Sequence, residues 1–443
     1  MKTVTLLAAL GAALAVSGAS AQVRDAAPPL RLTLDEAVRR GLETSHRIAE
    51  AVARGEAVDA VVGERRASTL PQIAAQAGYT RTNHVDAFGI LLPNNQLRVI
   101  YPDIPDNYRT RLDLQWPIYT GGRLDALARV ARIEATASAD DIATARRDLT
   151  LEITRGYWAL VTATESLRVV EESVARIDAH LTDVRNQLAA GLVPPSDVFT
   201  VDAQASRQRM LTVQARSNRD IVEAELARLV GAPPGTPVET AAALDALAPP
   251  PAAFDGLIEA ARQQRPERAA LVKRAGAAGE RARAAAAGTK PTVAVSGGVD
   301  YASPNPRIFP REDAWRTSWD ASVNVSWPIF DGGRARSEMT EAAALTRAVQ
   351  ERLADFDASL AVEIRQRVSE IASSRAAIEA ATDAVRSATE ARRVLGDRFA
   401  AGVATSTDVL DAQVALLQAD LDRTQAIANA HLADARLARA LGK

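Results

Sequence analysis

Three acidic residues, Asp408, Asp411 and Asp197, are the side chains whose type and spacing could serve a function together. Asp408 and Asp411 stand three positions apart, so a helix would place both carboxylates on one face. Asp197 follows an earlier turn of similar sequence, at the position that corresponds to Asp408. One interpretation is helix-start chemistry, with Ser196 and Thr407 as N-caps and the acids at the positive end of the dipole. The other is an acidic constriction, in which rings of carboxylates around an oligomer axis attract cations. The spacing alone favours helix-start chemistry.

Residue types that carry enzyme chemistry are present, but they form no recognisable arrangement. The chain has no cysteine, and its four histidines lack the spacing of metal ligands: His46, His84, His180 and His431. We therefore predict no enzymatic activity, no metal and no cofactor. The net charge of −2 gives no basic footprint, so nucleic acid is not an expected partner.

The elements that must position the aspartates occur twice. The stretch Trp116-Pro-Ile-Tyr-Thr-Gly-Gly-Arg123 returns 211 residues later as Trp327-Pro-Ile-Phe-Asp-Gly-Gly-Arg334, and this offset holds without a gap to Gly231 and Gly442. Before the motif the offset becomes 220, so the first copy carries nine extra residues. The chain is therefore predicted to hold two tandem copies, residues 22–231 and 254–443, joined by a Pro/Ala-rich connector at 232–253.

Residues 1–21 have the pattern of a secretory signal. Lys2 is followed by an eleven-residue apolar run, and Ala19-Ser-Ala21 forms a small-residue cleavage site. The chain is therefore predicted to be exported, without a lipid anchor because no cysteine follows. No later stretch approaches the apolar length of a transmembrane helix, so crossing a membrane would require a closed β-barrel.

Each copy predicts a helix, a β-hairpin, a long helix and a return helix, in that order. The first helix runs from Leu34 to about Thr69, and a loop at 84–107 separates the strands of the first hairpin. The other predicted elements are hairpins at 71–117 and 291–328, long helices at 121–189 and 332–400, and return helices at 196–230 and 406–441. In the first copy, Phe199, Ala203, Met210 and Val213 have the spacing of residues that face the long helix.

The four strands alternate between an apolar and a charged face. The charged face carries Arg109, Arg111, Asp113, Arg316 and Asp320. The apolar face carries aromatic residues near the strand ends: Tyr79, Trp116, Tyr301, Trp319 and Trp327. This is the pattern of a barrel wall with a wet lumen and interface aromatics, although a solvent-faced sheet on a core gives the same alternation. Four strands cannot close a barrel, so two copies or three would be needed, and the spacing does not choose between them.

At these residues the chain resembles the TolC family of outer-membrane efflux proteins. The duplicated Trp-Pro-Ile motifs and the distal turns, Ala190 to Val198 and Ala401 to Asp411, carry the resemblance, which covers nearly the whole mature chain. It implies an α+β membrane protein whose homotrimer forms a twelve-stranded outer-membrane β-barrel, with long coiled-coil helices forming a periplasmic α-helical barrel. Such a protein is an exit duct for efflux or type I secretion. It contacts outer-membrane lipid, a periplasmic adaptor and an inner-membrane pump of the RND, ABC or MFS type.

The resemblance also implies roles for particular residues. The adaptor would dock on the distal turns at Gly191, Leu192, Val193, Gly402 and Val403. Asp408, Asp411 and Asp197 would lie at the periplasmic entrance. The resemblance therefore favours the acidic constriction, whereas the spacing alone favoured helix-start chemistry. The chain departs from the family where some members latch the entrance with Tyr and Arg.

Those two positions hold Phe399 and Ala404. We therefore expect apolar contacts to hold the resting entrance. A periplasmic coiled-coil adaptor or structural protein without a pore is the alternative interpretation of the whole chain. The sequence does not reveal the cargo, the particular pump or the role of the 84–107 loop.

Overall fold

The computed structural model describes residues 29–244 and 254–443. The predicted signal segment lies outside the described residues, and so does the predicted connector from residue 245 onward. Each repeat forms shorter helices, strands of one shared sheet and a pair of very long antiparallel helices.

The helices and the main-sheet strands follow the same order in both repeats. The first repeat contains β1 (Leu30–Leu32), α1 (Leu34–Thr44), α2 (His46–Ala67), β2 (Gln72–Arg81), β3 (Phe88–Leu91), β4 (Leu97–Tyr101), β5 (Asp106–Tyr119), α3 (Arg123–Ala189) and α4 (Pro195–Leu229), followed by β6 (Val238–Thr240). The second contains α5 (Phe254–Gln264), α6 (Pro266–Ala286), a 3₁₀ turn (Ala287–Thr289), β7 (Thr292–Ser303), β8 (Arg316–Ser326), α7 (Arg334–Ala400) and α8 (Ser406–Ala440).

The first helical segment is divided in two, where the sequence predicts one helix. Ser45 has extended backbone angles, with φ −69° and ψ 118°, and its hydroxyl accepts a hydrogen bond from the Ile48 amide at 3.4 Å. A residue that both ends one helix and caps the next interrupts the helical backbone hydrogen bonds. It leaves the spacing of the apolar residues unchanged. The break was therefore missed because periodicity alone does not reveal it.

Two short strands that the sequence did not suggest tie the start of the described chain to the connector. β1 and β6 pair in parallel, Leu30 opposite Val238. The buried Tyr157 hydroxyl lies beside this pair, where it donates to the Leu32 carbonyl at 3.2 Å and accepts from the Ala242 amide at 3.1 Å. Its two hydrogen bonds stabilise the junction of β1, β6 and α3.

The main sheet has the antiparallel strand order β2-β5-β7-β8, so β5 and β7 join the two repeats. Gln72 pairs with Gln115 and Thr292 with Ser326, which are repeat-equivalent pairs. β5 continues past the predicted strand end at Pro117 to Tyr119, with a bulge between them. Because proline cannot donate a backbone hydrogen bond, the bulge accommodates it without a missing ladder bond.

The predicted 84–107 loop contains a hairpin of its own, β3 with β4. Arg311, from the loop between β7 and β8, anchors it. The Arg311 guanidinium donates to the Tyr101 hydroxyl at 2.7 Å and lies 5.0 Å from the centre of that ring. It also donates to the Asn107 side chain at 3.1 Å. The 84–107 region of the first repeat is therefore held by a residue of the second repeat.

The two long helices, α3 and α7, contain 67 residues each, which at ~1.5 Å per residue gives a length on the order of 100 Å. Gly122 and Gly333 precede them with φ of 90° and 88°, a backbone conformation that suits glycine. α4 packs against α3, α8 packs against α7, and α3 also packs against α8. Among the described residues, no helix combines the length and apolar composition needed to cross a membrane.

The predicted contact face of α4 is wrong. Phe199, Ala203, Met210 and Val213 are exposed in the chain, and the buried residues of this helix include Val201, Ala205 and Gln208. The helix carries apolar residues on more than one face. Spacing identifies such faces but does not decide which of them meets α3.

Candidate functional site

The two distal turns have the same backbone structure. Gly191 and Gly402 have φ of 73° and 77°. In both turns the amide of the next residue, Leu192 or Val403, donates to a carbonyl five residues back at 2.9 Å. This is the Schellman arrangement, which ends a helix on glycine. Leu192 is 74% exposed and Val403 is 62% exposed, whereas Val193 packs against an apolar cluster. The tips therefore present two unpartnered apolar side chains.

Asp408 takes part in helix capping. The cap of α8 is Thr405, not the predicted Thr407, and Asp408 accepts from the Thr405 amide at 2.8 Å and hydroxyl at 2.7 Å. These hydrogen bonds hold the pKa of Asp408 below its ordinary value, because they favour the charged form. The cap of α4 is likewise Pro194, not the predicted Ser196.

The other two acids are less constrained. Asp411 is exposed on α8, and Asp197 is half-buried and accepts from the Ser196 hydroxyl at 3.2 Å. The exposed Asp408 and Asp411 carboxylates stand near the distal tip, three residues apart on one helix. Within one chain the structure thus gives Asp408 its helix-start role and leaves both side chains directed at solvent.

An apolar cluster connects the two helical hairpins behind the tips. Phe399 is buried in it, and Ala404 packs against it. The other buried members come from three long helices: Ile177, Leu181, Val184, Val201, Ala205, Val409 and Leu410. Positions 399 and 404 therefore lie in or against an apolar contact between the hairpins.

His180 is a further functional candidate at the contact between the two hairpins. It is buried in α3, its Nε2 lies 3.0 Å from the Ser406 hydroxyl of α8, and its ring meets Phe399 of α7 edge-on at 5.0 Å. Burial lowers the pKa of His180, against the weaker opposing effect of Asp183. A neutral imidazole therefore bridges the two hairpins. No sequence signal marks it, since its hydrogen-bond partner lies 226 residues away in the chain.

The predicted charged residues share one face of the sheet. Arg109 lies opposite Ala302, and Ala302 opposite Arg316; in the same way Asp113, Gly298 and Asp320 form a cross-strand row. Between these two rows, Arg111 lies opposite Asp300. All five predicted residues are therefore brought together.

An ion-pair network crosses three strands on this face. Arg111 pairs with Asp113 at 2.6 Å, with Asp320 at 2.9 Å and with Asp300, which also pairs with Arg109. Gly298 makes room for it, because a Cβ there would lie 2.6 Å from Nη2 of Arg111. Asp300 is the buried centre of the network, a position that no feature of the sequence marks.

The opposite face is apolar and aromatic at both ends. Tyr79, Tyr108, Trp315 and Tyr301 form a continuous chain of ring contacts, with centroids 5.1, 5.9 and 4.8 Å apart in that order. At the other end of the strands Trp116 donates to the Thr69 carbonyl at 3.3 Å and Trp327 to that of Thr289 at 3.1 Å. These two bonds are repeat-equivalent. Trp319 lies between the two ends, opposite Val299, and is exposed.

A two-faced sheet joined to helices of this length is also the fold of solved outer membrane proteins. The crystal structure of the outer membrane protein VceC from Vibrio cholerae matches with a TM-score of 0.77 and 21% identity, over 92% of this chain and 96% of that one.

The chain belongs to the outer membrane efflux protein family, whose model matches residues 37–232 and 257–443. Protein CyaE of Bordetella pertussis is 26% identical over 393 residues, which is 86% of this chain and 78% of that protein. The outer membrane protein TolC of Vibrio cholerae is 23% identical over 420 residues, covering 92% and 90%. The two segments of the family match correspond to the two repeats.

Proposed function

We propose that this protein is the outer-membrane exit duct of a tripartite efflux or type I secretion system, built as a homotrimer. Three copies of the four-stranded sheet close a twelve-stranded barrel, and the long helices extend into the periplasm. The observation that carries the proposal is the sheet itself, which has free edges at β2 and β8 and an exposed apolar face opposite the charged one. Free edges cannot face lipid, so β8 of one copy pairs with β2 of the next.

The internal repeat predicts the register of that pairing. β5 is equivalent to β8, and β7 is equivalent to β2, so the observed β5–β7 joint is the template for the joint between copies. Leu112 lies opposite Val299. Applying the two repeat offsets places Val323 of one copy opposite Tyr79 of the next, and Trp327 opposite Ala75. The two residues of each pair belong to the apolar face, so the lipid-facing surface continues across the joint.

The charged face then lines the lumen. Arg109, Arg111 and Arg307 form ion pairs with three aspartates, Asp113, Asp300 and Asp320, so the charges of this network balance within each chain. This lining keeps the barrel wet without a strong preference for either ion sign. Ion selectivity is therefore set at the periplasmic entrance, where Asp408 and Asp411 from three copies form acidic rings. Asp197 lies nearby on the α3–α4 hairpin.

A periplasmic adaptor docks on the distal turns. Leu192 and Val403 provide exposed apolar anchors there, next to glycines that let a partner approach the backbone. Docking favours an open state in which the hairpins separate at the apolar cluster around Phe399, and an adaptor that binds this state more tightly opens the duct. The inner-membrane pump delivers the cargo.

Single-channel conductance in a planar bilayer tests the proposal. Asp408→Asn/Asp411→Asn removes both charges, while the new amide at position 408 keeps an oxygen that accepts from Thr405. We expect discrete cation-preferring steps from the natural protein and loss of that preference in the variant. Conductance steps with an unchanged cation preference would mean that both acids serve only in helix capping. Protein that stays soluble without detergent and never conducts would contradict the duct and support a pore-free periplasmic role.

A further inference from the structure

The two repeats carry the same glycine on the charged face of the sheet. Gly78 of β2 and Gly298 of β7 are repeat-equivalent at the offset of 220. Asp320 of β8 lies opposite Gly298, and Arg109 of β5 lies opposite Gly78. Asp320 and Arg109 are themselves repeat-equivalent, at the offset of 211. An acid beside the glycine in the second repeat therefore corresponds to a base beside the glycine in the first.

The space above the two glycines also differs. A Cβ at Gly298 would lie 2.6 Å from Nη2 of Arg111, whose guanidinium fills that space and pairs with Asp320 at 2.9 Å. A Cβ at Gly78 would meet no atom within 4 Å. The second repeat thus holds a carboxylate and a guanidinium at this position, whereas the first holds a guanidinium and an open space.

The open space belongs to a pocket of about 310 Å³ on the charged face. Its lining includes Gly78 and three arginines, Arg109, Arg111 and Arg311. Within the described parts of the chain, no aspartate or glutamate lines it. The pocket therefore presents hydrogen-bond donors and positive charge without an acid of its own.

The loop between β7 and β8 is fixed against the same face. The side-chain amide of Asn305 is buried there and donates to the Ser318 hydroxyl at 3.0 Å. Two residues further on, Arg307 pairs with Asp320 at 2.9 Å. These contacts hold the loop over the sheet, so that it forms one wall of the pocket and brings Arg311 to it.

Two of the three arginines keep donors without an acceptor in the described chain. Arg109 donates from Nε to Asp300, and its two terminal amino groups have no acceptor among the described residues. Arg311 donates from its terminal groups to Tyr101 and Asn107, and it forms no ion pair with any described acid. Because the ion-pair network of this face is balanced, the charge of Arg311 is in excess of it.

We propose that this pocket is a binding site for an oxyanion, the carboxylate or phosphate group of a small molecule. The oxyanion fills the space above Gly78 as the Arg111 guanidinium fills the space above Gly298, which gives the same ion pair with its charges exchanged. The terminal amino groups of Arg109 bind its oxygens, because a guanidinium fork matches carboxylate and phosphate geometry. Arg311 supplies the second positive charge.

The ring of copies leaves this site open. The pocket lies within one chain, and only its place in the lumen of the duct rests on the proposed function. The repeat offsets, applied to the β5–β7 joint, place Asn324 of the next copy opposite Gly78 and Ser322 of the next copy two residues before it. These residues correspond to Asp113 and Arg111 of the internal joint. The next copy therefore brings neither a carboxylate that would neutralise the site nor a long side chain that would fill it.

Calorimetric titration of inorganic phosphate into the detergent-purified protein tests the site. Gly78→Asp places a carboxylate in the open space without removing any contact, and Arg109→Gln removes the fork. We expect each variant to weaken phosphate binding by about tenfold or more. Arg316→Gln is the control, because it removes a positive charge from the same face outside the pocket, and it should change the affinity by less than about twofold.

Three results would overturn the proposal: no phosphate binding by the natural protein, unchanged binding by Gly78→Asp, or an equal loss in Arg316→Gln. Glucose 6-phosphate distinguishes the sources of the oxyanion. Binding of both probes supports a site for a group carried on a larger molecule, such as a cargo, whereas binding of phosphate alone supports a site for the free ion.

Conductance of the same preparation in a planar bilayer separates this inference from the proposed function. Protein that conducts but binds neither probe refutes the site and leaves the duct. Protein that binds phosphate, loses this binding in Gly78→Asp and never conducts keeps the site and refutes the duct.

Discussion

Protonation of His180 is expected to loosen the contact between the two helical hairpins. The imidazole is buried between Ser406 and Phe399, and burial holds its pKa below the ordinary 6.5. Once the hairpins separate, the ring meets water and its pKa returns toward 6.5. The separated state then binds more protons, so the packed state loses stability as the pH falls below 6.5 and stops losing it at the lowered pKa.

The size of the effect follows from this linkage. Each pH unit between the two pKa values costs the packed state up to about 1.4 kcal/mol per chain, a tenfold change in the equilibrium. Asp183 on the same helix favours the charged ring and so limits the width of this window. We expect the fraction of open channels, measured in a planar bilayer, to rise as the pH drops from about 7.5 to about 5.5.

The matched variant is His180→Gln, which can still hydrogen-bond to the Ser406 hydroxyl but does not titrate in this range. It should lose the pH dependence while the channel still conducts. His431→Gln is the control, because that ring stacks on Trp158 at 3.8 Å, away from the tip cluster, and its loss should leave the dependence intact. A His180→Gln channel that keeps the full pH response would refute the reasoning.

Two further predictions concern stability. Gly231→Ala should destabilise the fold by more than about 2 kcal/mol, because φ is 63° and the new Cβ would lie 2.3 Å from Oγ1 of Thr44. Gly235→Ala, with φ of 82° and no atom within 4 Å, should cost only about 1 kcal/mol in thermal unfolding, and equal losses would contradict the steric argument. Thr405→Ala should cost about 0.5–2 kcal/mol by removing the cap of α8. The pKa of Asp408 is lowered, so the part of the cap's stabilisation that depends on the Asp408 charge should be lost as the pH falls below 3.8 and through the lowered pKa. A cost of Thr405→Ala that stays constant in acid would contradict this charge contribution.

The predicted faces of the sheet could be read from the sequence because side chains on a strand alternate with a fixed period of two. Arg109, Arg111 and Asp113 therefore had to share a side, and the structure places them so. The ion-pair partners of these residues could not be predicted from the sequence. Asp300 pairs with Arg109 across 191 residues and with Arg111 across 189 residues. The ion pair between Arg111 and Asp320 depends on the absence of a side chain at Gly298.

The distal tips show the same division. The paired aspartates and the apolar residues at positions 399 and 404 are visible in the chain, but the burial of His180 against Ser406 depends on how α3 meets α8. The exposed faces of α4 were assigned wrongly for the same reason. A helix of 35 residues carries several apolar stripes, and only the packed structure decides which stripe meets a helix of its own chain.

The sequence by itself determined the duplication, the length of the helices, the two faces of the sheet and the family resemblance, because each depends on a local period or an exact repeat offset. The tertiary structure decided which repeat-equivalent contacts are made inside one chain and which surfaces stay open. Asp300 is one charged residue among many in the sequence. It becomes the buried centre of an ion-pair network only because β5 and β7 pair in the folded chain.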